Sequence, residues 1–134
     1  RGHGETVLIV DDVEEQRNMA AQILKMLGYS VGTAASGEEA IRSVESHPVD
    51  LRVLDMIMEP GIDGLKTYRR ILETHPGQKA ILVSGFSETD RIKEAGRLGA
   101  GQYVKKPYGL ETIGRAVREE LRKQRPQAVS GIGS

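Results

Sequence analysis

The chain has 134 residues, which suits one domain with its own hydrophobic core, and it carries 19 lysines plus arginines against 19 aspartates plus glutamates. A net charge of zero disfavours direct binding to nucleic acid or to a membrane surface, and the absence of cysteine excludes disulfides, thiolate chemistry and cysteine-based metal sites. The sequence shows neither a signal peptide nor an apolar run of membrane length, so we expect a cytoplasmic domain.

Short apolar runs alternate with segments of helical periodicity along the chain. Several runs are apolar at every position, which is typical of strands buried on both faces of a parallel sheet. The strands are predicted at 7–10, 30–35, 50–55, 79–84 and 101–106. The helices are predicted at 13–27, 37–46, 64–74, 88–98 and 109–123, the last with an apolar face of Leu110, Ile113, Val117 and Leu121.

Residues at the expected helix ends support these boundaries. Two pairs have the spacing of a capping box, other residues are suitable N-caps, and two glycines stand where helices should stop. The pairs are Asp12 with Glu15 and Ser36 with Glu39, the further N-caps are Asp63 and Ser87, and the glycines are Gly28 and Gly99.

Five strand–helix units predict an α/β fold, with a parallel sheet covered by helices on both faces. Right-handed crossovers restrict the topology to a few doubly wound sheets. Ligands of such sheets bind at the carboxyl ends of the strands. The residues at those ends are therefore the candidates for function.

Charged and polar side chains follow four of the predicted strands. Asp11 and Asp12 follow the first strand, Asp55 ends the third, Ser84 ends the fourth and Lys106 follows the fifth. Carboxylates placed close together repel each other unless a cation is present, and an all-oxygen ligand set suits magnesium. An aspartate in such surroundings can act as the nucleophile that accepts a phosphoryl group.

The motifs IVDD, LDMIM…GIDG, LVSG and VKKP occur in the order and spacing of a known family. The chain resembles a receiver domain of two-component signalling over about residues 5–123, with residues 1–4 as a linker and 124–134 as a disordered tail. This resemblance implies a flavodoxin-like (βα)₅ sheet with strand order 2-1-3-4-5. It also implies a cis peptide bond between Lys106 and Pro107.

The same resemblance implies a role for each matching residue. Asp55 would be the phosphoacceptor, Lys106 the phosphate-binding lysine, Ser84 the switch hydroxyl and Tyr103 the aromatic switch residue. The ion would be Mg²⁺ or Mn²⁺, held by Asp11, Asp12, Asp55 and the backbone carbonyl of Ile57.

The implied function is a phosphorelay step. A histidine kinase or a histidine phosphotransfer domain would donate the phosphoryl group to Asp55, and the receiver would then change conformation. The face formed by the fourth helix, the fifth strand and the fifth helix would carry the change, and it is a candidate surface for a homodimer. Any kinase activity would belong to the partner or to a longer parent chain.

Four alternatives to this interpretation stay open at this point. The chain could be a stand-alone regulator rather than part of a hybrid sensor histidine kinase, the context that its motif style favours. It could also be a pseudo-receiver that only binds, although the complete set of site residues argues against this. The third alternative is a haloacid-dehalogenase-like phosphatase, which would need an acidic residue where Ile57 stands. The fourth is a flavodoxin-like cofactor binder, in which Asp11 and Asp12 would repel the flavin phosphate.

Two side chains beside the site predict the lifetime of a phosphorylated state. Ile57 stands two residues after Asp55, and Phe86 stands two residues after Ser84. In the family that the chain resembles, these positions influence the hydrolytic water. Both side chains are apolar and cannot orient a water molecule, so we expect slow loss of the phosphoryl group.

Two residues depart from the expected pattern. Arg52 lies inside the predicted central strand, where an aliphatic residue is expected, and it could snorkel toward the amino end of that strand. Compared with the usual pattern of the family that the chain resembles, the loop after Asp55 carries one extra residue at or near Glu59. We expect Glu59 to point to solvent, and the alternative is that it leans over the magnesium pocket. His3, His47 and His75 are predicted to be surface residues.

Overall fold

The computed structural model describes residues 4–46, 48–56, 63–85 and 90–123, except for the side chains of residues 44–46, 91 and 92. Within these ranges, strands and helices alternate as the sequence predicts. The strands are β1 (Thr6–Val10), β2 (Ser30–Ala34), β3 (Leu51–Asp55), β4 (Lys79–Ser84) and β5 (Tyr103–Lys105). The helices are α1 (Glu14–Met26), α2 (Gly37–Ser46), α3 (Gly64–Thr74), α4 (Asp90–Arg97) and α5 (Leu110–Arg122). The predictions that fall outside the described residues concern His3, His47, Ile57, Glu59, Phe86, Ser87 and the tail 124–134.

The five strands form one parallel sheet in the order β2-β1-β3-β4-β5, which confirms the predicted doubly wound topology. Every residue of the central strand β3 is buried, including the charged Arg52 and Asp55. Alternate side chains of β3 belong to two different clusters of the hydrophobic core. Leu51 and Val53 pack with residues of α1 and α5, whereas Leu54 packs with residues of α2, α3 and α4.

Most of the predicted helix ends are confirmed. The Ser36 hydroxyl accepts a hydrogen bond from the N–H of Glu39, and the Glu39 carboxylate accepts one from the N–H of Ala35. Asp63 caps α3 by accepting a hydrogen bond from the N–H of Lys66. Gly28 and Gly99 follow α1 and α4 with φ angles of 98° and 114°, which favour glycine after a helix.

The predicted cap at Asp12 is wrong. Val13 holds the N-cap position of α1, and no side chain caps this helix end. The reason is that the carboxylate of Asp11 accepts a hydrogen bond from the N–H of Val13 at 2.9 Å, which directs the chain into the helix one residue later. The carboxylate of Asp12 lies in a cluster with those of Asp11 and Asp55.

Leu110 also differs from its prediction. It is 41% exposed because it is the first residue of α5 and lies before the part of the helix that packs on the sheet. The other three residues of the predicted face, Ile113, Val117 and Leu121, do contact the core. His75 lies at the carboxyl end of α3 and is partly exposed.

Arg52 is fully buried, so the expectation that its head reaches water is wrong. In the sheet it lies between Leu8 of β1 and Ala80 of β4. None of its guanidinium nitrogens has a hydrogen-bond partner among the described residues. Burial alone lowers the pKa of Arg52 to about 10, because water no longer stabilises the charged form.

Among the described residues, no helix is long and apolar enough to cross a lipid bilayer. The longest helices, α1 and α5, have 13 residues each, and both expose charged side chains.

Candidate functional site

The carboxyl ends of β1, β3, β4 and β5 bring the predicted site residues to one edge of the sheet. Asp11 directly follows β1, Asp55 ends β3 and Lys106 directly follows β5. Backbone hydrogen bonds continue the sheet ladder to this edge: the N–H of Asp11 donates to Ala34 at 3.1 Å, and the N–H of Lys106 donates to Ser84 at 2.8 Å. The main chain of the site is therefore part of the sheet rather than of free loops.

The ammonium of Lys106 lies between two carboxylates. Its Nζ is 2.9 Å from Oδ2 of Asp11 and 3.2 Å from Oδ2 of Asp55. The three side chains are 17%, 6% and 8% exposed, so water screens these contacts only weakly. The neighbouring Lys105 is exposed, as predicted for the solvated member of the pair.

Asp11, Asp12 and Asp55 form a cluster of carboxylates. One oxygen of each lies within 4.8 Å of the others. The oxygens around one Mg²⁺ are about 3–4 Å apart, since each lies about 2.1 Å from the ion. Only a small inward movement would allow all three carboxylates to bind one ion. All three candidate ligands are oxygen donors, and three carboxylates beside the single Lys106 ammonium leave an excess of two negative charges. Both features suit a small hard cation.

The pKa of Lys106 shows how strongly this cluster attracts positive charge. Burial by itself lowers the pKa of the ammonium. The hydrogen bonds and the negative charges of Asp11 and Asp55 outweigh burial, and the net effect is a raised pKa. Lys106 therefore stays protonated at neutral pH and acts as a fixed cation of the site.

Tyr108 responds to the same charges. It is partly buried two residues after Lys106, and its pKa is raised to about 12. The larger cause is burial, and the carboxylates of Asp11 and Asp55 add to it because they oppose a negative phenolate. Sequence analysis gave no indication of this tyrosine, although its position directly after the Lys-Pro dipeptide places it near the site.

Gly64, the first residue of α3, is required by the backbone of the site. A Cβ atom at this position would lie 2.6 Å from the carbonyl oxygen of Asp55 and 3.0 Å from Cα of Met56. The N–H of Gly64 donates a hydrogen bond to the carbonyl of Met56 at 3.2 Å. The start of α3 thus rests on the end of β3, which gives a physical reason for glycine at the end of the GIDG motif.

Ser84 and Tyr103 lie on the neighbouring strands β4 and β5. Ser84 is the last residue of β4 and is 3% exposed. Tyr103 begins β5, is partly buried and packs against the layer of core that includes α4. The Lys106–Pro107 peptide bond is cis, as the resemblance implied.

Residues of the first turn of α1 complete the surroundings of the site, and sequence analysis missed them. The ammonium of Lys106 donates a third hydrogen bond, to Oε1 of Gln16. The guanidinium of Arg17 donates to the backbone carbonyl of Asp11 at 2.8 Å. Gln16 and Arg17 stand four and five residues after Asp12, and one helical turn brings such residues back over the strand ends. This spacing was the only feature of the sequence that could have predicted their location beside the site.

The receiver-domain family model, described as "Response regulator receiver domain", matches residues 7–118 of the chain. The chain is 32% identical over 117 residues to sporulation initiation phosphotransferase F of Bacillus subtilis, and it covers 94% of that protein. It is 36% identical over 121 residues to the sensor kinase CckA of Brucella abortus, and it spans only 13% of that kinase. These alignments cover 87% and 89% of the chain.

A solved structure agrees with the sequence comparisons. A chain of the CheX–CheY–BeF3–Mg²⁺ complex from Borrelia burgdorferi is similar to this one with a TM-score of 0.83 and 29% identity. The similarity covers 89% of this chain and 90% of that chain.

Proposed function

The chain belongs to the response regulator receiver family of two-component signalling, and from this premise we propose that Asp55 accepts a phosphoryl group from a phosphohistidine of a partner protein. The observation that carries the proposal is the convergence of Lys106 with Asp11 and Asp55 at one edge of the sheet. Receivers of this family act with histidine kinases or phosphotransfer proteins. That role requires a carboxylate nucleophile and a neighbouring cation, and both are found here.

In the proposed reaction, an oxygen of the Asp55 carboxylate attacks the phosphorus atom. A P–O bond forms, the P–N bond of the phosphohistidine breaks, and the imidazole leaves and takes up a proton. The product is an acyl phosphate on Asp55. Lys106 stabilises the negative charge of the transferred oxygens, and its raised pKa keeps it protonated for that task.

Asp11, Asp12 and Asp55 are the residues that would hold Mg²⁺. When bound, the ion would neutralise part of the phosphoryl charge. The similar complex from Borrelia burgdorferi contains BeF3 and Mg²⁺, which supports the same assignment here. Ile57 would add its backbone carbonyl, as the sequence analysis proposed.

The proposed response to phosphorylation runs through Ser84 and Tyr103. Ser84 ends β4 beside the strand that carries Asp55, so its hydroxyl is a suitable donor to a phosphoryl oxygen. Tyr103 is only partly buried and could move inward when the chain after β4 shifts. The face of α4, β5 and α5 would then present a different surface to partners, and to a second copy if the domain dimerises.

We propose residues 5–123 as the receiver and a hybrid sensor histidine kinase as its parent protein. The similarity to a segment of the sensor kinase CckA supports this context. The similarity to phosphotransferase F, which the chain covers almost completely, supports the alternative of a stand-alone regulator. Reading the parent gene around the segment for a kinase domain would decide between them.

The proposed function is tested with a small phosphoryl donor, which removes the need to know the partner. The protein is incubated with phosphoramidate in the presence of MgCl₂, and its intact mass is measured. We expect a single phosphoryl adduct that requires Mg²⁺ and is absent from Asp55→Asn. The absence of an adduct with phosphoramidate and with acetyl phosphate would favour a pseudo-receiver.

A further inference from the structure

The Lys106 ammonium reaches acceptors that come from three different parts of the chain. Two are Oδ2 of Asp11 and Oδ2 of Asp55, at 2.9 Å and 3.2 Å. The third is the amide oxygen Oε1 of Gln16, in the first turn of α1. An ammonium has three N–H bonds, so these acceptors match its donors one for one.

From this contact, and resting on the proposed function, we infer that Gln16 is a positioning residue for the phosphoryl transfer. Lysine carries its charge on a flexible four-carbon stem, and it loses rotational freedom whenever the ammonium is fixed. Two carboxylates restrain the location of Nζ. The third acceptor adds a further restraint on the same ammonium, from α1, before a donor arrives.

Gln16 differs from the other two acceptors in a way that suits this task. Asp11 belongs to the carboxylate cluster, and Asp55 becomes an acyl phosphate during the proposed reaction. Of the three acceptors, only Gln16 is neither a member of the carboxylate cluster that would hold the metal nor the proposed nucleophile. Its amide is neutral, so it holds the ammonium without adding negative charge to an edge that must receive an anionic group.

The first turn of α1 is itself tied to the Asp11 segment, which keeps Gln16 in place. The N–H of Val13 donates to the Asp11 carboxylate at 2.9 Å, and the Arg17 guanidinium donates to the Asp11 carbonyl at 2.8 Å. The same residue therefore anchors both the ammonium and the helix that carries Gln16. This arrangement aligns the two sides of the Gln16–Lys106 contact before any ligand binds.

The test compares two substitutions of Gln16 with a control on the same helix. Gln16→Met keeps the length of the side chain but removes the acceptor, and Gln16→Glu keeps an acceptor. Gln22→Met changes another exposed glutamine of α1. For each protein, the rate of adduct formation with phosphoramidate is measured at saturating Mg²⁺. The exchange of the Lys106 ammonium protons with water is followed by ¹⁵N NMR in the absence of metal. The Lys106 signal is identified because it is missing from the spectrum of Lys106→Arg.

We expect Gln16→Met to lower the phosphorylation rate about three- to tenfold, the effect of one lost hydrogen bond. It should also speed the exchange of the Lys106 ammonium protons, whereas Gln16→Glu should keep that exchange slow. Gln22→Met should match the wild type in both measurements.

Two outcomes would overturn the inference. One is a wild-type rate together with wild-type proton exchange in Gln16→Met. The other is a lower rate with unchanged proton exchange, because Gln16 would then act without Lys106. If the wild type forms no adduct at all, the proposed function fails instead. The exchange measurement needs neither donor nor metal, so it would still show whether Gln16 holds Lys106.

Discussion

Nζ of Lys106 lies 3.2 Å from Oδ2 of Asp55, although the two residues are 51 positions apart in the sequence and two strands apart in the sheet. Val83 and Ser84, which end β4, lie between the two residues in the sheet. This contact joins the proposed nucleophile to the cation that would bind its phosphoryl group.

Replacing the buried Arg52 with an apolar residue should stabilise the fold. Its guanidinium is fully buried without a hydrogen-bond partner among the described residues, and such a charge is costly. We expect Arg52→Leu to raise the free energy of unfolding by about 1–4 kcal/mol, the range seen when buried charges are replaced by apolar residues. Urea denaturation at neutral pH measures this change.

The control for this substitution is Arg70→Leu, which changes an exposed arginine of α3. It should alter the free energy of unfolding by no more than about 0.5 kcal/mol. A loss of stability in Arg52→Leu would contradict the prediction, because it would mean that the guanidinium has a strong partner in the folded protein.

Adding a methyl group to Gly64 should disturb the end of β3. The new Cβ would lie 2.6 Å from the Asp55 carbonyl oxygen, so the backbone must move. We expect Gly64→Ala to lower the free energy of unfolding by about 1–3 kcal/mol. It should also slow phosphorylation, since the clash is with the proposed nucleophile's own backbone. Thermal unfolding and the rate of adduct formation report the two effects.

Gly96 of α4 provides a matched control, because a Cβ there would meet nothing within 4 Å. Gly96→Ala should leave phosphorylation unchanged and should stabilise the helix by about 0.5–1 kcal/mol. Equal effects of the two alanines on stability would show that the close contact at Gly64 has no energetic consequence.

The raised pKa of Tyr108 predicts a loss of stability at alkaline pH. The pKa of Tyr108 is about 12 in the folded state and about 10 in the unfolded state. The neutral phenol therefore stabilises the folded protein. Its contribution is therefore complete below pH 10 and is lost as the pH rises toward 12. Tyr68 has a similarly raised pKa and contributes equally to both proteins, so at pH 11 we expect the wild type to lose about 1 kcal/mol more than Tyr108→Phe.

Urea denaturation at pH 9 and pH 11 of the wild type and of Tyr108→Phe measures this difference. Asp55→Asn removes one of the charges that raise the pKa of Tyr108, so this variant should show a smaller loss than the wild type. A tyrosine at position 108 that titrates at its ordinary pH in an absorbance titration would contradict the explanation.

The sequence was sufficient for the fold and for most of the site because both depend on strong local patterns. Continuously apolar strands between helices specify a parallel sheet, and the carboxyl ends of its strands must meet at one edge. Asp11, Asp55 and Lys106 lie in contact there, as the motif order indicated.

The failures arise from local turns, long-range contacts and burial that sequence spacing does not specify. The spacing of Asp12 and Glu15 allows a capping box, but α1 begins one residue later than that box requires, after a turn in which the Asp11 carboxylate accepts a hydrogen bond from the N–H of Val13. The contact of Gln16 with Lys106 joins two segments with no common motif. Arg52 shows that a strand within a strongly apolar sheet can hold a charge that periodicity alone would exclude.

Loss of the phosphoryl group from Asp55 should be slow, with a lifetime of minutes or longer. The residues two positions after Asp55 and Ser84 are Ile57 and Phe86, and neither can orient a hydrolytic water by hydrogen bonding. We expect Ile57→Asn or Phe86→Glu to speed dephosphorylation about tenfold or more. The decay of the intact-mass adduct after removal of the donor gives the rate. A lifetime of seconds that neither substitution changes would rule out this explanation.

The most direct measurement locates the phosphoryl group within the chain. The protein is treated with phosphoramidate and MgCl₂ and then reduced with borohydride, which converts an acyl phosphate to an alcohol, and its peptides are sequenced by mass spectrometry. We predict reduction at position 55 alone, with none in Asp55→Asn or in protein treated without donor. A wild-type protein that shows no reduction at position 55, or reduction at another carboxylate instead, would contradict Asp55 as the phosphoacceptor.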